Sequence, residues 1–129
     1  MRDTTGKGNV SLMKIASKFA EKGYSVLFPF LEGGRYDLVV EKEGKFKRIQ
    51  CKTGKLKKDS IVVKLHSCTQ LGVRYYTKKE IDSFGVFCPQ NDKVYLLNIE
   101  EISRTSMVLR LQKTKNNSKV TNWAKDYEL

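Results

Sequence analysis

The segment from Arg35 to Thr53 constrains the fold of this chain more than any other part of it. Two stretches suited to extended backbone, Arg35 to Glu41 (RYDLVVE) and Phe46 to Thr53 (FKRIQCKT), flank Glu43-Gly44, a dipeptide that favours a tight hairpin turn. The first is apolar at Leu38, Val39 and Val40, as a largely buried strand is. In the second, period two puts Phe46, Arg48, Gln50 and Lys52 on one face and Lys47, Ile49, Cys51 and Thr53 on the other.

The rest of the chain supplies partners for this hairpin. Residues 1–8 (MRDTTGKG) are polar and glycine-punctuated and read as a mobile lead-in. From Asn9 to Lys22, Leu12, Ile15, Ala16, Phe19 and Ala20 recur at three- and four-residue spacing, which predicts one amphipathic helix. Asn9 or Ser11 caps its start, and Gly23 ends it. Tyr24 to Phe28 is a short strand stopped by Pro29, and Leu31 to Gly34 is a loop. After a basic loop at 54–60 come a strand at Ile61 to Leu65 and a hairpin of Ser83 to Cys88 with Val94 to Ile99. Glu100 to Ile102 opens a short turn, Val108 to Leu111 is a last strand, and Thr121 to Tyr127 is a last helical turn. This order predicts an α/β (α+β) domain, residues 1–129, with a mixed central sheet and flanking helices.

Composition narrows the function. No apolar run approaches the ~20 residues of a membrane span, and no signal-peptide pattern opens the chain, so a cytoplasmic protein is expected. Cys51, Cys68 and Cys88 lie far apart beside one histidine, His66, which suits reduced thiols rather than a disulfide framework or a zinc site. The net charge is +11, with 25 Lys and Arg against 14 Asp and Glu. A surplus of that size favours a polyanionic partner. It is also unevenly spread, because Lys45 to Lys58 and Ser103 to Thr121 are basic segments without a single acid.

Asp37 on one strand of the hairpin faces Gln50 and Lys52 on the other, two residues apart and therefore on one face. A carboxylate, an amide oxygen and an ammonium converging at a strand end suit phosphodiester hydrolysis assisted by a hard cation such as Mg²⁺. In that chemistry the lysine orients water and offsets charge on the phosphorane.

The string GGRYDLVVEKEGKFKRIQCKTG resembles the core of the PD-(D/E)xK nuclease superfamily, in the branch that holds group I intron homing endonucleases. Glutamine stands there where most relatives carry a second acid. G-N-V-S in the first helix, K-G-Y-S-V-L-F-P, F-G-V-F-C-P, V-Y-L-L and A-K-D-Y-E-L extend the likeness over almost the whole chain. The resemblance implies a restriction-endonuclease-like core and a site-specific, Mg²⁺- or Mn²⁺-dependent endonuclease of duplex DNA. Asp37, Gln50 and Lys52 are its catalytic positions, and Asp37 and Gln50 its metal positions.

The same resemblance exposes a departure. The family's first helix supplies a metal-binding glutamate where this chain has Leu12, so weak metal binding and slow or absent cleavage are expected. Asn9, Ser11 or Glu32 are candidate replacements, and core packing is the plain alternative for Leu12. Contacts to DNA are expected from Lys7, Arg35, Lys45, Lys47, Lys55, Lys57, Lys58, Arg74 and Tyr75, with Arg35 and Tyr36 alternatively packing on the strand edge. A homo-oligomer, dimer or tetramer, is expected by analogy. Two other functions stay open: a Holliday-junction resolvase, and a DNA-binding protein of this fold that does not cut.

Overall fold

The computed structural model describes residues 4–102, 106–111 and 122–129. Helix α1 runs Thr4–Glu21. It begins earlier than the apolar stripe predicts, so residues 4–8 are helical rather than a lead-in, and Asn9 and Ser11 lie inside the helix rather than at its cap. Its first turns carry no apolar stripe for periodicity to detect, yet a helix already nucleated extends at little cost. Ile15, Ala16 and Phe19 are buried as expected, Ala20 is exposed, and the helix ends at Gly23 in the left-handed conformation, φ +89°. The Gly23 and Tyr24 N–H groups donate back to the carbonyls of Ala20 and Phe19, a glycine C-cap.

The central sheet has five strands in the order β1-β2-β3-β8-β9, formed by Ser25–Leu27, Leu38–Lys42, Lys45–Thr53, Ser83–Cys88 and Lys93–Asn98. It is mixed: β3 runs parallel to β8, and every other neighbouring pair is antiparallel. Glu43 and Gly44 both take positive φ in the β2–β3 turn, as the two-residue turn predicts. Strand β8 is buried along its whole length, with core on both faces.

On one face, α1 packs Ile15 and Phe19 over Leu38, Val40, Ile49 and Phe87. Gly85 admits the helix, since a Cβ there would stand 2.8 Å from Ile15 Cγ2. On the other face Phe84 and Val86 join Ile61, Val63, Leu97 and Leu109. That second core is roofed by a three-stranded sheet, β10-β5-β4, from Ser106–Arg110, Ser60–Lys64 and Lys55–Lys57.

Three strands escape the sequence reading. The basic stretch at 54–60 holds β4, too short for a periodic signal but paired with β5 through Leu56 and Ile61. Strands β6 (His66–Thr69) and β7 (Gly72–Tyr75) form a separate hairpin. A 3-10 turn at Ile99–Glu101 and helix α2 (Ala124–Tyr127) agree with expectation, although Thr121 lies outside the described residues. The Leu129 N–H donates to Val94 O at 2.9 Å, so the last residues cover the β9 edge. No helix among the described residues is long and apolar enough to cross a membrane.

Candidate active site

Strand β3 carries the site because its alternation divides its side chains between the two cores. Ile49 points to α1, whereas Gln50 and Lys52, paired in register with Phe84 and Val86, take the opposite face. Asp37 precedes the first residue of β2, and its N–H continues the ladder by donating to Ile49 O at 2.8 Å. Its carboxylate Oδ2 accepts the Cys51 N–H at 2.8 Å. The predicted meeting of Asp37 with the Gln50-Cys51-Lys52 stretch is thus realised through the backbone of β3.

Lys52 is half-buried, and its Nζ donates to the His66 carbonyl at 3.3 Å. The same ammonium lies 5.1 Å from the centre of the Tyr76 ring. Burial pushes the Asp37 pKa above its ordinary value, against the opposing pull of the Cys51 N–H and of Lys52. Burial likewise pushes the Lys52 ammonium down, with Asp37 opposing and Arg35 reinforcing that shift. The Cys51 thiol is raised by burial and by the Asp37 charge, so it stays protonated and is no nucleophile.

Arg35 is held by four partners. Its Nε donates to Glu80 Oε2 at 2.9 Å, its terminal nitrogens donate to Tyr75 O at 2.9 Å and Ser67 Oγ at 3.4 Å, and its guanidinium stacks 3.9 Å from the Tyr76 ring centre. These contacts tie the residue before the Asp37 strand to the β6–β7 hairpin. Tyr76, Glu80 and the His66 carbonyl were absent from the sequence expectation as site residues. Arg74 and Tyr75, expected as DNA contacts, are the nearest signal the sequence offered.

Leu12 packs half-buried against the α1 core, while Ser11 is buried and its hydroxyl hydrogen-bonds Thr53. Asn9 and Glu32 are exposed. Lys7 lies on the exposed surface of α1, and Lys55, Lys57 and Lys58 project from β4 and the following turn. Arg74 and Tyr75 are exposed on β7, where Arg74 also pairs with Glu80 at 3.4 Å. Lys45 and Lys47 open β3 in a groove shared with Lys78, Asp82 and Glu100, so that end is acid-free in sequence but not in space. Arg110 is half-buried on β10, and the other basic residues of the 103–121 segment lie outside the described residues.

The donor set can be tested against a cation. Asp37 brings one carboxylate and Gln50 one neutral amide oxygen, and no group of three or more His, Cys, Asp and Glu occurs among the described residues. Hard oxygen donors that few suit a cation retaining most of its own waters, as Mg²⁺ does. The set fits such an ion, with a single protein charge to hold it.

The fold is shared with a solved bacterial homing endonuclease, I-Ssp6803I, at a TM-score of 0.77 over 98% of this chain and 89% of that one, with 18% identity. Protein 5.3 of Escherichia phage T7 is 48% identical over 46 residues, which is 36% of this chain and 39% of that protein. The family model described as PD-(D/E)XK endonuclease matches residues 2–129, nearly the full length. The chain belongs to the PD-(D/E)XK endonuclease family.

Proposed function

We propose that this chain is a divalent-metal-dependent endonuclease of duplex DNA, site-specific in the manner of a homing endonuclease and weakened by Leu12. The observation that carries this reading is the Asp37 carboxylate fixed on the Cys51 N–H, one residue from Lys52. Mg²⁺ or Mn²⁺ would be held by Asp37 and Gln50, and when bound would supply polarisation of the phosphate and a more acidic water. Asp37 supplies the charge, and its hydrogen bond to β3 fixes the direction from which it is offered. Gln50 adds an oxygen without charge. Lys52 offers donors toward an attacking water and offsets negative charge accumulating on the phosphate in a half-buried setting, where such an interaction is strengthened. Lys7, Lys55, Lys57, Lys58, Arg74 and Tyr75 face solvent and supply the DNA backbone contacts, joined by Lys45 and Lys47 at the far end of β3. Arg35 shapes the site through its hairpin contacts. A second copy of the chain provides the second cut of a duplex.

Leu12 favours a second reading, a DNA-binding protein that does not cut, because an apolar side chain packed on the helix core cannot ligate an ion. Cleavage of supercoiled plasmid, and of a randomised duplex library, with Mg²⁺ or Mn²⁺ separates the two. The chain cuts slowly and Leu12→Glu cuts faster, while Leu12→Glu with Asp37→Ala is silent. Silence of both the chain and Leu12→Glu, with DNA binding intact, would establish the second reading. Preference for four-way junctions over duplex would instead point to a resolvase.

A further inference from the structure

We propose that Tyr76 is a positioning residue for Lys52, so that the β6–β7 hairpin, and not β3 alone, decides where the ammonium stands. The proposal rests on the nuclease reading of Lys52.

Two contacts locate the Lys52 Nζ, the His66 carbonyl at 3.3 Å and the Tyr76 ring centre at 5.1 Å. Both come from the open end of one hairpin: His66 begins β6, Tyr75 ends β7 opposite it in register, and Tyr76 follows. The ring itself is fixed. Phe84 of the second core meets it edge-on, with centres 5.3 Å apart and planes at 87°. Arg35 stacks on the ring and is anchored in turn to Glu80 and to the Tyr75 carbonyl.

A lysine side chain has four rotatable bonds, and a strand fixes only its first atoms. Without a second support a half-buried ammonium that feels the Asp37 charge would be drawn toward that carboxylate. Its hydrogen bond goes instead to His66, and the face of an aromatic ring attracts a cation without neutralising it. The ammonium therefore keeps its charge and donors for a phosphate. Packing alone would require of Tyr76 only an apolar ring on Phe84, and would not explain two cations gathered at it.

The test uses the whole chain with ¹³C,¹⁵N-labelled lysine, the Lys52 signal being assigned by its loss in Lys52→Arg. The Lys52 ε-methylene protons should resonate upfield of the other lysines because of the ring. They should stay there in Tyr76→Phe and return to the common lysine position in Tyr76→Leu. In parallel, on the duplex cut best by the chain or by Leu12→Glu, Tyr76→Leu should lower kcat by roughly 10- to 100-fold with KM unchanged, and Tyr76→Phe should restore it. A Lys52 signal among the other lysines in the unaltered chain overturns the proposal without any variant having to fold. Loss of the ring shift in Tyr76→Leu with kcat unchanged overturns it equally. Cleavage that survives Lys52→Met removes the nuclease reading of Lys52 and the proposal with it. A missing ring shift alone leaves that reading standing.

Discussion

Strand β3 carries two acid–base pairs, and they are built to opposite ends. Toward its start Arg48 meets Asp82. The Asp82 carboxylate accepts the Arg48 backbone N–H at 2.7 Å and its side-chain Nε and terminal nitrogen at 3.1 Å each. Two further guanidinium hydrogens go to the carbonyls of Lys78 and Lys79. Toward its end, Asp37 accepts one backbone N–H, and Lys52 turns to a carbonyl and an aromatic face. The difference shows in their protonation. Arg48 hydrogen bonds hold Asp82 below the ordinary carboxylate range against the effect of burial, while burial drives Asp37 up and Lys52 down. A bidentate pair with further backbone partners stitches β3 to the start of β8, whereas the Asp37–Lys52 end has the sparser bonding that the ligand role proposed above needs.

The largest effect separating the two ends should come from the under-satisfied pair. Lys52→Met and Asp37→Asn should each lower cleavage by about 10²- to 10⁴-fold, measured in the most active background, without lowering the Tm. Asparagine keeps the acceptor for Cys51 N–H and removes a charge that the fold disfavours. A Tm drop in Asp37→Asn would mean that the carboxylate stabilises the fold and that the contrast is false. At the other end Asp82→Ala leaves the Arg48 donors without their carboxylate. It should cost about 2 kcal/mol of stability, a Tm loss of roughly 8 °C, while kcat per folded molecule stays the same.

Acid titration sharpens the comparison further, because the two carboxylates act with opposite sign around the ordinary aspartate value of 3.8. The folded pKa of Asp82 lies below that value. Its stabilisation is therefore complete above pH 3.8 and is lost as the pH falls through the lower, folded value. Asp37 is raised, so its charge costs stability at neutral pH, and that cost disappears as the pH falls through its folded value toward 3.8. Thermal melts against pH should show a smaller acid loss in Asp82→Asn than in the unaltered chain and a larger one in Asp37→Asn.

The smallest expected effect concerns DNA affinity. Replacing Lys55, Lys57 and Lys58 together should lower the salt dependence of binding by up to about 0.9 for each phosphate that is no longer neutralised. Replacing Lys45 and Lys47 should change it less, since Asp82 and Glu100 share their groove. Equal slopes in a salt titration of the two variants would show that this local acidity does not matter to the polyanion.

Much of this was legible in the chain. The β2–β3 hairpin, the faces of β3 and the Gly23 helix stop follow from period-two alternation, turn chemistry and glycine, all of which act over a few residues, whereas the Asp37, Gln50 and Lys52 positions came from the family resemblance. The first turns of α1 were missed because they are polar, and β4 because three residues carry no period. The supports of the site were missed for a different reason. Arg35 meets Glu80 across 45 positions, and Lys52 meets His66 across 14. Nothing local marks such a pairing, and the hairpin that delivers His66 and Tyr76 forms a two-stranded sheet of its own among the described residues.

Sequence by itself therefore determined that Gln50 and Lys52 share one face of β3, because alternation along a strand is a local property. Tertiary structure alone decided which of the basic residues are neutralised by neighbours and what holds the Lys52 ammonium. Those outcomes depend on which distant segments the collapse of two hydrophobic faces brings together, and burial, charge and contact follow from that placement.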